Sequence, residues 1–438
     1  MKSKKVIPLS ILFVIFLMLM FSWNNVLNYH ANMYAGYDKH IASAEKYMEK
    51  EIYIDAVNEY KQALRIKPDD YDLAMKIVEI YQILDDKQAY LSACKSAIDA
   101  DKTQIEPYII LADYYLEVNN FAESYRILAL ADKSIDNEEI DNRISQIKGH
   151  YSLTATKYDT IFPFYYEKGK KTGYAVVALD GKYGIMSTTG KATIKCEYDD
   201  IGLYSADVIP VYQNGEWYYI TAKGYRKLVP DTPMDFVGAF CDGYAAACKD
   251  NVYGYINKFM KEFHFEYQYA GSFANGVAAV QKDDKWAIIN TSFKTVIDFE
   301  LDDIIMDEYG FCSTYGVIWG KHDGKYYLYN LEGECISEGV DDAKIFASDE
   351  PAAVKIGDKW GFVSKNGKMV IEPAYEDANS FSLGYAPYFE NGKWGCIGES
   401  GNILIEPSFD SMGSFARNGY SLVEIDGVKK FAVVNIYD

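Results

Sequence analysis

The side chains in this 438-residue chain that could do chemistry are carboxylates, a few histidines and a ladder of aromatic rings. The five histidines, at 30, 40, 150, 264 and 322, stand apart from one another. No H-E-x-x-H, G-x-S-x-G, P-loop or strand-to-helix G-x-G-x-x-G is present, so no local motif builds a zinc, nucleophile or phosphate site. What recurs is acid: Asp199-Asp200, Asp302-Asp303, Asp341-Asp342, Glu376-Asp377, and Asp410 alone. A calcium loop needs oxygens converging at D-x-[DN]-x-[DN]-G spacing, which none of these has. An Asp following a strand instead caps a turn through its own backbone. A glycosidase would need two carboxyls at a set separation, and a hydrolase on the β-array is kept as the remote alternative. Seven cysteines, at 94, 196, 241, 248, 312, 335 and 396, include no C-x-x-C pair. They form neither a disulfide framework nor a zinc set and read as small buried hydrophobes, with a Cys241–Cys248 bridge the one conceivable pairing. No catalytic residue, metal or cofactor is expected.

The aromatic ladder shows what must hold these acids. Tyr183, Trp217, Tyr253, Trp286, Tyr326, Trp360 and Trp394 fall at gaps of 34, 36, 33, 40, 34 and 34 residues. Around each anchor a short strand precedes a polar turn such as Asn391-Gly392, and the anchor strand follows. A second turn, Asn366-Gly367 or Ser400-Gly401, leads to a third apolar run. Asx-Gly between apolar runs is a strong hairpin signal, so each unit makes at least three antiparallel strands. Units close with a Phe-containing link to a glycine, as in Phe381…Gly384 and Phe415…Gly419. The 40 Tyr and 22 Phe suit pleated, half-buried strands. A unit of this size cannot bury its own core, so the anchors are expected to pack between neighbouring units rather than stack on sugars.

The ends of this array are out of phase. Tyr158-Asp159-Thr160-Ile161 resembles a unit's tail, while Tyr420–Val423 and Phe431–Asn435 supply the complementary strands, so the two together would complete one composite unit. Such closure predicts a β-propeller of seven or eight blades, with an open β-solenoid as the alternative.

Residues 37–150 read differently. Apolar spacing is helical, glycine is missing between Gly36 and Gly149, and Tyr47, Tyr81 and Tyr115 stand 34 residues apart. Ala44, Ala56 and Ala63 let two antiparallel helices approach closely, and Pro68 ends the second. Upstream, Lys2, Lys4 and Lys5 precede an apolar run over 6–23 that is just long enough to cross a bilayer. It predicts an uncleaved transmembrane signal anchor after a cytoplasmic stub (1–5), followed by a linker (24–36). Cleavage of a signal peptide is the alternative. Either reading places the bulk of the chain outside the cytoplasm of a bacterial cell, tethered to the membrane or secreted.

Residues 359–384 and 393–419 resemble the WG-repeat family of bacterial proteins, whose units run K-W-G-[FY]-[IV] through I-x-P-x-[YF] to F-x-x-G; the resemblance spans about 280 residues. It implies repetition without an activity. The 37–150 segment resembles the tetratricopeptide repeat as three helix pairs. The fold class expected is therefore multidomain, α plus all-β: a transmembrane helix, an α-solenoid over 37–150 and the β-array over 158–438. In tetratricopeptide repeats the first helix of each pair lines a groove, and the matching positions here are Asp38, Glu45, Asp72, Glu79, Glu106 and Asp113, all acidic.

Charge narrows the partners. The chain carries a formal −20, which excludes a nucleic-acid binder that must release counterions from phosphate. The helical segment holds 14 basic and 23 acidic residues. A non-catalytic scaffold binding a protein or basic peptide through an acidic groove follows, with binding that weakens in salt. A cell-wall or surface glycan is the alternative ligand.

Overall fold

A computed structural model describes Met18, Met20, Trp23, residues 34–167 and 169–434, and Ile436. The chain divides into two compact units, Met1–Ile147 and Lys148–Asp438.

The first unit is helical. Residues 34–48 form α1, followed by α2 (Tyr53–Ile66), α3 (Tyr71–Ile83), α4 (Lys87–Ala100), α5 (Glu106–Glu117), α6 (Phe121–Asp132) and α7 (Glu138–Lys148). The 34-residue period has a backbone cause. Glu51, Asp85 and Asn119 all take positive φ, at 59°, 55° and 56°. One residue later, the amides of Ile52, Asp86 and Asn120 donate to the carbonyls of Tyr47, Tyr81 and Tyr115 at 2.9, 3.2 and 2.8 Å. Each is a Schellman closure, which satisfies the carbonyls left over at a helix end. Asp86 and Asn120 then cap the next helix, accepting from Ala89 and Glu123 amides at 3.0 Å. The tyrosine register of the sequence thus marks the carbonyls on which each helix ends. Ala44, Ala56, Ala63, Ala97, Ala112 and Ala131 are fully buried where helices cross.

The second unit contains eight antiparallel sheets arranged as an eight-bladed β-propeller. Blade 1 spans Thr160–Tyr198, blade 2 Asp200–Leu228, blade 3 Phe236–Tyr267 and blade 4 Tyr269–Leu301. Blade 5 spans Asp303–Asn330, blade 6 Asp342–Tyr375 and blade 7 Asp377–Phe409. Blade 8 is composite: Ser411–Met412, Tyr420–Ile425 and Val428–Val434 are completed by Tyr151–Ala155, which runs antiparallel with Tyr151 opposite Val434 and Ala155 opposite Lys430. Closure therefore uses both ends of the unit, and an open solenoid is excluded. The completing strand lies before the expected start at residue 158, whereas Tyr158–Ile161 leads into blade 1. Cores form between neighbouring blades: Ala353, Trp360 and Phe362 of blade 6 pack on Phe381, Ala386 and Tyr388 of blade 7. The ring is sealed where Val177 and Met186 of blade 1 meet Phe431 of blade 8.

The glycine after each anchor has a steric reason. A Cβ on Gly184, Gly361 or Gly395 would lie 2.6, 2.6 or 2.4 Å from the carbonyl oxygens of Ile194, Ile371 or Ile405, on the next strand. That strand crosses directly over the glycine, where the ladder shifts register. Tyr218 and Tyr327 occupy this slot in blades 2 and 5. Blade 2 keeps only a three-residue last strand, Arg226–Leu228, and blade 5 has three strands in all. Ala287 is small enough that Thr295–Leu301 remains whole in blade 4.

One fold-class expectation is corrected. No helix among the described residues is long and apolar enough to cross a membrane. The 6–23 run that suggested a transmembrane signal anchor lies outside the described residues, apart from Met18, Met20 and Trp23. The conceivable Cys241–Cys248 bridge is also absent, both thiols being free.

Candidate interaction surfaces

Asp38 and Glu45 lie on α1, Asp72 and Glu79 on α3, and Glu106 and Asp113 on α5. Within each helix the pair is seven residues apart, two turns, which sets both carboxylates on one side. Asp38, Glu45, Asp72, Glu79 and Glu106 are exposed and form no ion pair among the described residues. Asp113 differs. It is half-buried and bound at 2.5 Å by Arg143 of α7, which also reaches Glu139 at 3.1 Å. Successive helices share one electrostatic neighbourhood: burial first, then Glu106, Asp101 and Asp72, pushes the Tyr71 phenol up to about 12. Beside Asp113 the surface opens into a depression of about 570 Å³ lined by Leu116, Glu138, Asn142 and Gln146.

The propeller's aromatic anchors face inward. Trp217, Tyr326 and Trp360 are buried, and Tyr183, Tyr253, Trp286 and Trp394 are half-buried. Trp217 donates from its indole nitrogen to the carbonyl of Asp235 in the neighbouring blade, at 3.0 Å. Nothing in this set offers a row of open rings.

The recurrent acids divide the work between the two members of each doublet. Asp199, Asp302, Asp341 and Asp410 pair with Lys182, Lys285, Lys325 and Lys393, the lysine that precedes each anchor. Those lysines hold the four carboxyls below the usual range. Asp341 and Asp410 also accept from Gly357 and Asp426 amides in the next hairpin turn, at 2.8 and 2.6 Å. The second acid of a doublet caps its own strand: Asp200, Asp303, Asp342 and Asp377 accept from the amide one residue on, at 2.8–2.9 Å. Among the described residues no cluster of three acid, His or Cys side chains could hold a metal.

The links between the first two strands of each blade bond to one another around the ring. Their phenylalanine carbonyls accept hydroxyls from the preceding blade: Ser205 to Phe240 at 2.7 Å, Thr314 to Phe346 and Ser348 to Phe381 at 2.8 Å. The links of blades 1 and 5, residues 162–173 and 305–316, are much longer than the others. They reach each other, stacking Tyr165 on Phe311 with centroids 5.5 Å apart. Leu203, Ala239 and Cys241 pack around that contact. The sequence held a signal for it, the 40-residue gap between Trp286 and Tyr326.

Several solved structures show a weak similarity to this chain. A crystal structure of Kluyvelomyces marxianus Hsv2 is 8% identical, covers 61% of this chain and 89% of its own, and has a TM-score of 0.35. A chain of the mitotic checkpoint complex is 8% identical over 66% of this chain and 96% of its own, with a TM-score of 0.38. A eukaryotic initiation factor is 12% identical over 62% and 84%, with a TM-score of 0.40. No curated protein sequence matches the chain. Residues 183–217, 253–286, 360–394 and 394–428 match the family model of the WG containing repeat, so the propeller of this chain carries WG-containing β repeats.

Proposed function

We propose that this chain is a non-catalytic scaffold for protein partners, whose acidic helical face holds a basic peptide segment while the propeller supplies rigid surfaces for others. One observation carries the reading: Asp38, Glu45, Asp72, Glu79 and Glu106 are exposed, unpaired among the described residues, and repeated at one register. Five carboxylates kept free at that spacing repel one another unless a cation joins them. The resemblance to tetratricopeptide helix pairs agrees, since the same positions line the groove of that family. Asp113 is assigned to the fold rather than the partner, because Arg143 already neutralises it. A glycan partner has less support, since the recurrent anchor rings are buried or half-buried and form no open row.

The test is titration of the full chain with a labelled lysine-rich peptide, by fluorescence anisotropy. Binding at about 50 mM salt should fall by an order of magnitude or more at about 300 mM, as the Debye length shortens. The Glu45→Lys/Glu79→Lys variant should lose it. Binding that is indifferent to both salt and the variant rules the reading out.

A further inference from the structure

Two of the most exposed large apolar side chains among the described residues lie in neighbouring blades. Phe259 is 89% exposed on the last turn of blade 3, and Tyr225 is 70% exposed on the last turn of blade 2. Exposed rings rimmed by charge are one of the marks of a contact surface. The backbone of both turns is held by side-chain hydrogen bonds. In blade 3, Asn257 accepts through its side chain from the amides of Phe259 and Lys261, at 2.9 and 3.2 Å. In blade 2, Thr221 accepts from the amides of Lys223 and Tyr225, at 3.3 and 3.2 Å. Equivalent turns elsewhere turn inward or carry no ring: Phe293 of blade 4 packs into the core beside Tyr255 and Phe273.

The rings sit among cations. Lys223, Lys258 and Lys261 stand on the two turns, which contain no acid. Two nearby carboxylates are engaged, Glu216 by Arg226 at 2.7 Å and Glu262 by Lys249 at 3.3 Å. Asp207 lies beside Lys258's anchor at the Ala206 carbonyl, and Asp231 precedes Thr232, which bonds Glu262 at 2.9 Å. In a chain of net charge −20 this is a basic, aromatic-tipped island. Large aromatic side chains that become buried on binding are among those that carry most of a protein–protein contact's energy, Tyr especially.

We propose that this island docks the acidic helical face of a second copy of the chain. The occupant is chosen by charge: that face holds five free carboxylates in a helical segment of 14 basic and 23 acidic residues. The two surfaces are different patches, so the contact is head-to-tail and assembly continues past a dimer unless its rotation closes a ring. The proposal rests on the reading of the acidic face as a binding surface.

The experiment is sedimentation velocity of the full chain across concentration. At about 50 mM salt the weight-average mass should climb with concentration, and it should fall back towards monomer at about 500 mM. Apolar aggregation through other segments would respond oppositely, strengthening in sulfate. Lys223→Glu/Lys258→Glu/Lys261→Glu alone and Glu45→Lys/Glu79→Lys/Glu106→Lys alone should stay monomeric, and an equimolar mixture should associate again. Tyr225→Ser/Phe259→Ser should weaken association roughly tenfold with the salt dependence retained. Unchanged circular dichroism and melting verify that each variant folds. A wild-type chain that stays monomeric at low salt, or a mixture that does not associate, overturns the docking. If the lysine-rich peptide still binds in that case, the acidic face survives and only its second-copy occupant is lost.

Discussion

The hydroxyl of Tyr309 donates to the carbonyl of Pro163 at 2.6 Å, joining the link of blade 5 to that of blade 1. In a ring of eight these blades stand opposite, so one hydrogen bond ties the propeller together across its middle. Tyr309→Phe removes the hydroxyl and leaves the ring against Phe162, which it faces at 6.3 Å. The loss should be about 1 kcal/mol, the net worth of one hydrogen bond, read by urea denaturation. Tyr309→Ala should cost more, because the packing goes as well.

The glycine that follows the anchor makes a second prediction. At Gly395 a methyl would sit 2.4 Å from the Ile405 carbonyl and 2.8 Å from the Pro407 nitrogen, backbone atoms that cannot swing aside. Gly395→Ala should cost about 1–3 kcal/mol as an overpacked site. Gly395→Tyr should do to blade 7 what Tyr218 and Tyr327 accompany in blades 2 and 5, shortening the last strand or reducing it to isolated bridges. Faster amide exchange confined to 403–409 would report it, and a protected strand would disprove the steric account.

Much of this was legible beforehand, for particular reasons. Asx-Gly turns give away hairpins because their φ is positive, and Asn391 and Gly392 do take 53° and 81°. The tyrosine register at 47, 81 and 115 stood out because helix closure repeats it. Tyr151–Ala155 did not, since four of its five residues face water and it borders no hairpin turn. Its strand character comes from its partner, the C-terminal strand. Asp113 could not be told from Glu79 by position, because its distinction is a contact with Arg143, 30 residues away. Tyr225 and Phe259 escaped because a ring in a turn reads as another packed aromatic until its exposure is known.

The anchors differ in depth, and the cost of losing them should follow. Trp360 is 5% exposed and packed across the blade 6–7 boundary, whereas Trp394 is only half-buried and leans on Phe389 at 5.4 Å. Trp360→Ala should destabilise by roughly 3–5 kcal/mol through the cavity left behind. Trp394→Ala should cost distinctly less, since water already reaches its ring. Denaturation curves for the two variants decide it. Equal losses would mean that the anchors act through the strand rather than through burial.

Asp307 gives the sign of a pH effect. It sits in the long link of blade 5, where burial raises its carboxyl from 3.8 to about 6 despite amide hydrogen bonds from Tyr309 and Phe311 at 3.0 and 2.9 Å; Glu308 adds to the rise. The folded chain therefore holds this proton more tightly than the unfolded one. Its contribution to stability is full below about 3.8, declines as pH rises towards 6, and is flat and unfavourable above that. Asn at this position keeps an oxygen that accepts the same two amides and has no charge to bury. Asp307→Asn should therefore gain on the wild type as pH goes from about 4 to about 6, and hold that advantage at pH 7. Comparing the two chains cancels every other titrating group, including the many surface carboxylates. A difference in melting temperature that stays constant across that range would show that Asp307 titrates alike in both states, and that its link is wetter than the packing around Tyr309 implies.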